Sequence, residues 1–275
     1  MISSLIRAFN ALIDKWMLLN VSTATYASLS KSVSEQNTDP LYLAFSPDGT
    51  KMFITGNATG AIYQYTLSTP WNVSTAVYDS LSSYVNAQDA GPWGLAFSSD
   101  GTKMFILGGV YRTVYQYTLS TAWNVSTAVY DSLSKLLTAQ DAAPRGLAFS
   151  SDGTKMFITG VNSSNVYQYT LSTPWNVSTA VYSSLSKSVS AQETGPLGLV
   201  FSPDGSKMFI TGLNSSNVYQ YTLSTPWNVS TAVYSSLSKS FSAQAPNSKG
   251  LAFSSDGTKM FILGGTKNTV FQYTL

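Results

Sequence analysis

This sequence predicts an all-β fold, a closed ring of five four-stranded units, and three observations predict it. The stretch "SPDGTKMFITG" at Ser46 returns with small changes at Ser98, Ser150, Ser202 and Ser254, always 52 residues apart. A period of about 40–50 residues is that of one supersecondary unit repeated around a ring or along a stack. Inside each period, β-branched and aromatic runs alternate with clusters of Gly, Pro, Asn and Ser, the layout of short strands joined by turns. The third observation concerns the two ends of the repeat. The last period stops at Leu275 after its third strand, and "NVSTATYASLSKSVSEQ" from Asn20 aligns with "NVSTAVYDSLSSYVNAQ" from Asn72. The missing fourth strand is thus written at the other end of the chain.

Residues 1–18 break the β pattern. Ile2, Leu5, Phe9, Leu12 and Trp16 step by three and four, an apolar stripe on one side of a helix. Ser3 or Ser4 stands where a cap belongs. Two heptads do not hold a coiled coil alone, so the stripe needs a surface to cover it. These five residues are expected to dock onto a partner, which makes 1–18 a docking helix and 19–275 the ring. Arg7, Asp14 and Lys15 give the segment too little positive charge for a membrane-surface helix, and no membrane is expected as partner.

The unit beginning at Gly94 shows how each period divides. "GLAFS" is a strand. "SDGT" is a tight turn in which Asp bonds its own backbone and Gly supplies positive φ. "KMFILG" is the second strand, "VYQYTL" the third and "STAVYDSLS" the fourth. Tyr115 and Tyr117 lie on one side of the third strand and Val114 on the other, so both faces are apolar and both must be covered. Four-stranded units buried on both faces are the blades of a β-propeller. From Asn20 to Leu275 the chain is four residues short of five periods, and those four are the turn between third and fourth strands. Joining the N-terminal strand to the last blade closes the ring and removes an exposed edge.

In such a blade, loops one and three lie on one face. The second loop and the blade-to-blade connection lie on the other. The first face is uniform across the five copies and the second varies. Its second loops read "NATG", "GVYR", "VNSSN", "LNSSN" and "GTKN", and the residue before the first strand is Leu41, Trp93, Arg145, Leu197 or Lys249. Exposed aromatics and Arg are common anchors of binding, which makes Trp93, Tyr111, Arg112, Arg145 and Lys249 the candidate contacts of this face. A second candidate is a repeated pocket between blades around Gln36, Gln88, Gln140, Gln192 and Gln244, beside which Asp89, Asp141 and Glu193 stand. The plainer reading of these Gln residues is that they hold the connections in shape. The other Gln set, in the middle of "YQYTL", reads as buried amides bonding between blades. Trp71, Trp123, Trp175 and Trp227 follow turn residues and are expected to plug the blade edge.

"LAFSPDGTKMF" at Leu43 resembles the "SPDG" repeats of YVTN/NHL-like β-propellers, and the likeness covers roughly residues 20–275. The longer unit with "STPWNVSTAVY" from Ser68 is similar to a subtype in bacterial surface proteins and structural proteins of tailed phages. That resemblance implies a fibre, spike or decoration protein of a virion. Residues 1–18 would join it to other structural proteins, and the variable face would meet a host-surface glycan or protein. The alternative is a free carbohydrate-binding lectin with five equivalent pockets, extracellular or at a cell surface.

Composition narrows the chemistry. Lys and Arg total 15 against 13 Asp and Glu, too balanced and too sparse for a nucleic-acid footprint. The chain has no Cys and no His, which removes disulfides, thiolate metal sites and the usual general base. No HExxH, P-loop or dinucleotide fingerprint is present. No cofactor and no metal are expected, and the chain is expected not to be an enzyme.

Overall fold

The computed structural model describes residues 15–275, and its twenty strands form five four-stranded antiparallel sheets. The first blade runs outward as Pro40–Phe45, Lys51–Gly56, Ala61–Leu67 and Ala76–Tyr84. The last consists of Ser248–Phe253, Lys259–Gly264 and Thr269–Thr274, and the N-terminal strand Thr25–Ser32 completes it. Thr25 lies opposite Thr274, Tyr26 opposite Tyr273 and Ser32 opposite Thr269. The innermost strands meet their neighbours all the way round, fifth blade to first included. The ring is closed, with five blades.

The core is divided into five parts, one in each seam between adjacent blades. An aromatic triad sits in every seam. At the first, Phe53 of one blade packs 4.6 Å from Phe97 of the next, and Trp123 packs 5.3 Å from Phe97. The tryptophan also lies flat over the turn glycine of its own blade. A Cβ on Gly101 would stand 2.2 Å from the Trp123 ring, and Gly101 has φ +72°. Glycine is therefore required there both by conformation and by space. Trp71, Trp123, Trp175 and Trp227 themselves sit at φ 59–60°. That costs an L-residue about 1–2 kcal/mol, which burial of the indole offsets.

The seam between the fourth and fifth blades departs from this plan, and it corrects one expectation. Leu19 aligns with Trp71, so the turn there lacks its tryptophan. Trp16 supplies the ring instead. Residues 15–18 are helical, and Leu19 N–H donates to Trp16 O, which stacks the two side chains on one side. The Trp16 indole lies 6.1 Å from Phe209 and 5.5 Å from Phe253, covers Gly257, and donates from Nε1 to Ser255 O at 2.8 Å. Trp16 is 4% exposed. It belongs to the ring's own core and is not free to dock a partner, so the ring extends N-terminally past position 19. Ile2, Leu5, Phe9 and Leu12 lie outside the described residues.

The "NVST" segments do not open the fourth strands. Val73–Thr75 and its four equivalents are single 3-10 turns, and Asn72 Oδ1 accepts from Ser74 N–H at 3.1 Å. The mid-strand Gln residues reach these turns across the seams. Gln64 Oε1 accepts from Val125 N–H, Gln116 from Val177, Gln168 from Val229, Gln220 from Val21 and Gln272 from Val73, each at 3.1 Å. The five bonds make a complete circuit. Gln116→Leu would leave the Val177 N–H buried and unpaired. It is expected to cost about 1–3 kcal/mol, read as a shift in urea midpoint at unchanged slope.

Each outer strand is bulged at a serine with φ 58–59° (Ser28, Ser80, Ser132, Ser184 and Ser236). A bulge twists an edge away from flat pairing, which guards the five outer edges against other chains.

Candidate functional site at the rim of the central channel

The first strand of every blade begins at one mouth of the central channel, so the residues at 41, 93, 145, 197 and 249 ring that mouth. Leu41 and Leu197 are buried, whereas Trp93, Arg145 and Lys249 are half-buried. Arg145 and Trp93 come together: the guanidinium lies 4.3 Å above the indole ring. Gly109 makes room for this pair, since a Cβ there would stand 2.1 Å from Trp93 Cδ1. Arg145 donates from Nη1 to Pro144 O at 2.9 Å and has no other protein partner among the described residues. Burial lowers its pKa below the usual guanidinium value, with Asp141 opposing, but an arginine remains charged.

The loop beside this pair is the most apolar of the five. Val110 is 55% exposed and Tyr111 61% exposed. Arg112 follows at φ 56°. Asp89 holds the loop in place. It is fully buried and accepts from the N–H groups of Gly91, Val110 and Tyr111 at 2.8, 3.2 and 2.7 Å. Asp141 and Glu193 do the same for the next two loops. These acids are consumed by backbone and so act as clamps. Lys249 is not part of the Trp93 cluster's chemistry, because it is paired with Asp39.

Below the rim the channel is closed by a residue that sequence reasoning passed over. Tyr42 points inward, is 4% exposed, and donates its hydroxyl toward Leu199 O at 3.2 Å and Leu147 O at 3.4 Å on two other blades. Burial pushes its phenol up to about 12. The equivalent positions are Gly94, Gly146, Gly198 and Gly250. A Cβ at Gly146 would stand 2.2 Å from Leu197 O, so the inner strands touch through bare backbone. One tyrosine among four glycines was the signal. On the other side of Tyr42 lies an apolar pocket of about 230 Å³ walled by leucines of all five blades and by Phe149, Phe201 and Phe253.

The repeated Gln residues of the connections are committed on one side. Gln36, Gln88, Gln140, Gln192 and Gln244 each accept from a tyrosine hydroxyl of the following blade, at 2.7–3.2 Å. Each thereby ties its connection to a side chain of the following blade's sheet.

The fold and its rim define a five-bladed β-propeller with a plugged channel and one decorated face. No protein-family model and no curated protein matches the sequence. Among solved structures, the chain is similar to a candidate 6-phosphogluconolactonase from Bacteroides uniformis, with TM-score 0.52 and 15% identity over 86% of this chain and 66% of that one. It is also similar to a protein of unknown function from Desulfotomaculum acetoxidans, with TM-score 0.50 and 13% identity over 82% of this chain and 62% of that one. A periplasmic gluconolactonase from Pseudomonas aeruginosa aligns with TM-score 0.48 and 16% identity over 82% and 64% of the two chains. The chain spans less than two thirds of the length of each. At these identities the likeness is one of fold. It nevertheless corrects the expectation that the chain is not an enzyme, because this architecture is shared with a protein described as a lactonase. Absence of His and Cys does not exclude chemistry on it. Among the described residues, no helix is long and apolar enough to cross a membrane.

Proposed function

We propose that this chain is a recognition module of a larger assembly, binding through its loop face and mounted through the segment ahead of Lys15. The concentration of Trp93, Val110, Tyr111, Arg112 and Arg145 on one sector of that face carries the reading. Trp, Tyr and Arg are the residues that dominate binding energy where they cluster. Here two guanidinium groups stand by while the neighbouring acids are tied to backbone. The mounting side supports the layout: Lys15–Leu18 lie by the Ser255–Gly257 turn, on the uniform face, opposite the loops. Taken with the "SPDG" resemblance, the assembly is a phage virion, with the chain as fibre, spike or decoration protein and a host-surface glycan or protein as ligand.

The test uses purified particles. The full chain is expected in them, and a variant that starts at Lys15, keeping Trp16, is expected to be lost from them. Trp93→Ala with Arg145→Ala is expected to remain particle-bound and to lower adsorption to host cells at least tenfold. A chain absent from particles, or adsorption indifferent to the double change, rejects the reading.

A further inference from the structure

A second cleft lies away from the rim, on the outer circumference at the seam between the fifth and first blades. It measures about 440 Å³ and is lined by Ser30, Lys31, Ser34, Glu35, Gln36, Tyr65 and Tyr78 among others. That volume falls in the range of small-molecule sites. Its floor is aromatic, with the Tyr65 and Tyr78 rings 5.7 Å apart. Gln36 uses its carbonyl oxygen on the Tyr65 hydroxyl, which fixes the amide and leaves its NH2 with no protein partner among the described residues. Lys31 and Glu35 border the same space without an ion pair between them.

We propose that this seam cleft is a saccharide site, present once per chain. The lining suits a neutral polyol. It offers an oriented amide donor, a carboxylate acceptor, an ammonium donor and serine hydroxyls, beside the half-buried Tyr78 ring, against which sugar C–H groups pack, with Tyr65 fully buried beneath. The two charges cancel, so no net charge is asked of the ligand. A carboxylate that accepts from hydroxyls makes the stronger, charge-assisted class of hydrogen bond.

Comparison of the five seams sets the number of sites. The Gln–Tyr pair recurs in all of them, but Glu35 is replaced by Ala87, Ala139, Ala191 and Ala243. Only the closing seam has the acid. It is also the seam whose wall is the N-terminal strand, Thr25–Ser32. The repeat therefore supplies a common scaffold, and one copy is elaborated.

The experiment titrates the full chain with glucose, galactose, mannose and N-acetylglucosamine, by calorimetry and by saturation-transfer NMR. At least one sugar is expected to bind at one equivalent, with Kd below about 10 mM. Glu35→Ala, which installs the residue of the other four seams, is expected to weaken it at least tenfold. Glu35→Gln, which keeps the side-chain size, should weaken it less. Ser83→Lys with Ala87→Glu is expected to add a second equivalent at the next seam. Five equivalents, no binding by any of the four sugars, or binding indifferent to both Glu35 changes each overturns the proposal. Trp93→Ala with Arg145→Ala leaves this site untouched, so its failure and that of the rim reading are separable.

Discussion

Replacing Trp16 by alanine is expected to lower the stability of the ring by about 3–5 kcal/mol, the range for removing a large buried aromatic. The indole is 4% exposed, completes the aromatic triad with Phe209 and Phe253, covers Gly257 and satisfies Ser255 O. All of that is lost at once. The cavity opens in the seam beside the blade that the N-terminal strand completes. The loss should exceed that of Trp123→Gly at an ordinary seam. Trp123 sits at φ 60°, so glycine there recovers about 1–2 kcal/mol of backbone strain. Trp16 is on helical backbone and has no such strain to release. Urea unfolding of the two variants beside the wild type measures the difference. A Trp16→Ala cost below about 1 kcal/mol would show that the seam between the fourth and fifth blades does not depend on this ring. The same logic decides how the mounting segment must be cut. A chain starting at Lys15 keeps the indole, whereas one starting at Leu19 loses it and confounds mounting with folding.

Trp16 also shows where sequence reading succeeds and where it stops. The period, the five blades and the closing strand were legible because a repeat reports the same environment five times. A Gly, an Asp or a Phe that returns every 52 residues is held there by one physical demand. Departures from the repeat are read only once, and their meaning depends on what stands opposite in space. The stripe ending at Trp16 was periodic as a helix, and periodicity says that a face is covered without saying by what. The rim residues were legible as a ring because strand order fixes their height. That Arg145 stacks on Trp93, while Lys249 is claimed by Asp39, depends on side-chain directions that alignment does not carry. The buried acids were visible as companions of the connection Gln residues. Their task, holding the loops by backbone N–H, needed the loops to be in place.

Tyr42→Gly is the second change expected to have a large effect, although it makes the first blade more like the other four. Blade repeats argue that glycine fits this position, since Gly94, Gly146, Gly198 and Gly250 all occupy it. Yet four bare positions leave a hole on the axis, and one large side chain fills it. Tyr42 crosses that hole and bonds toward Leu147 O and Leu199 O, so the first blade is tied to the third and fourth, which it does not otherwise adjoin. Two tyrosines at this level would collide, and none would leave the channel open from the rim to the apolar pocket. Removal of the ring is expected to cost about 3–5 kcal/mol by loss of burial and packing. Tyr42→Phe keeps the packing and gives up only the hydroxyl bonds, which are long, so about 1 kcal/mol is expected. The ratio of the two losses, measured by urea unfolding, separates a plug from a strut. Equal losses would place the stabilisation in the hydroxyl. An unchanged Tyr42→Gly would mean that the ring stands without an axle, and that Tyr42 serves only to shut the channel.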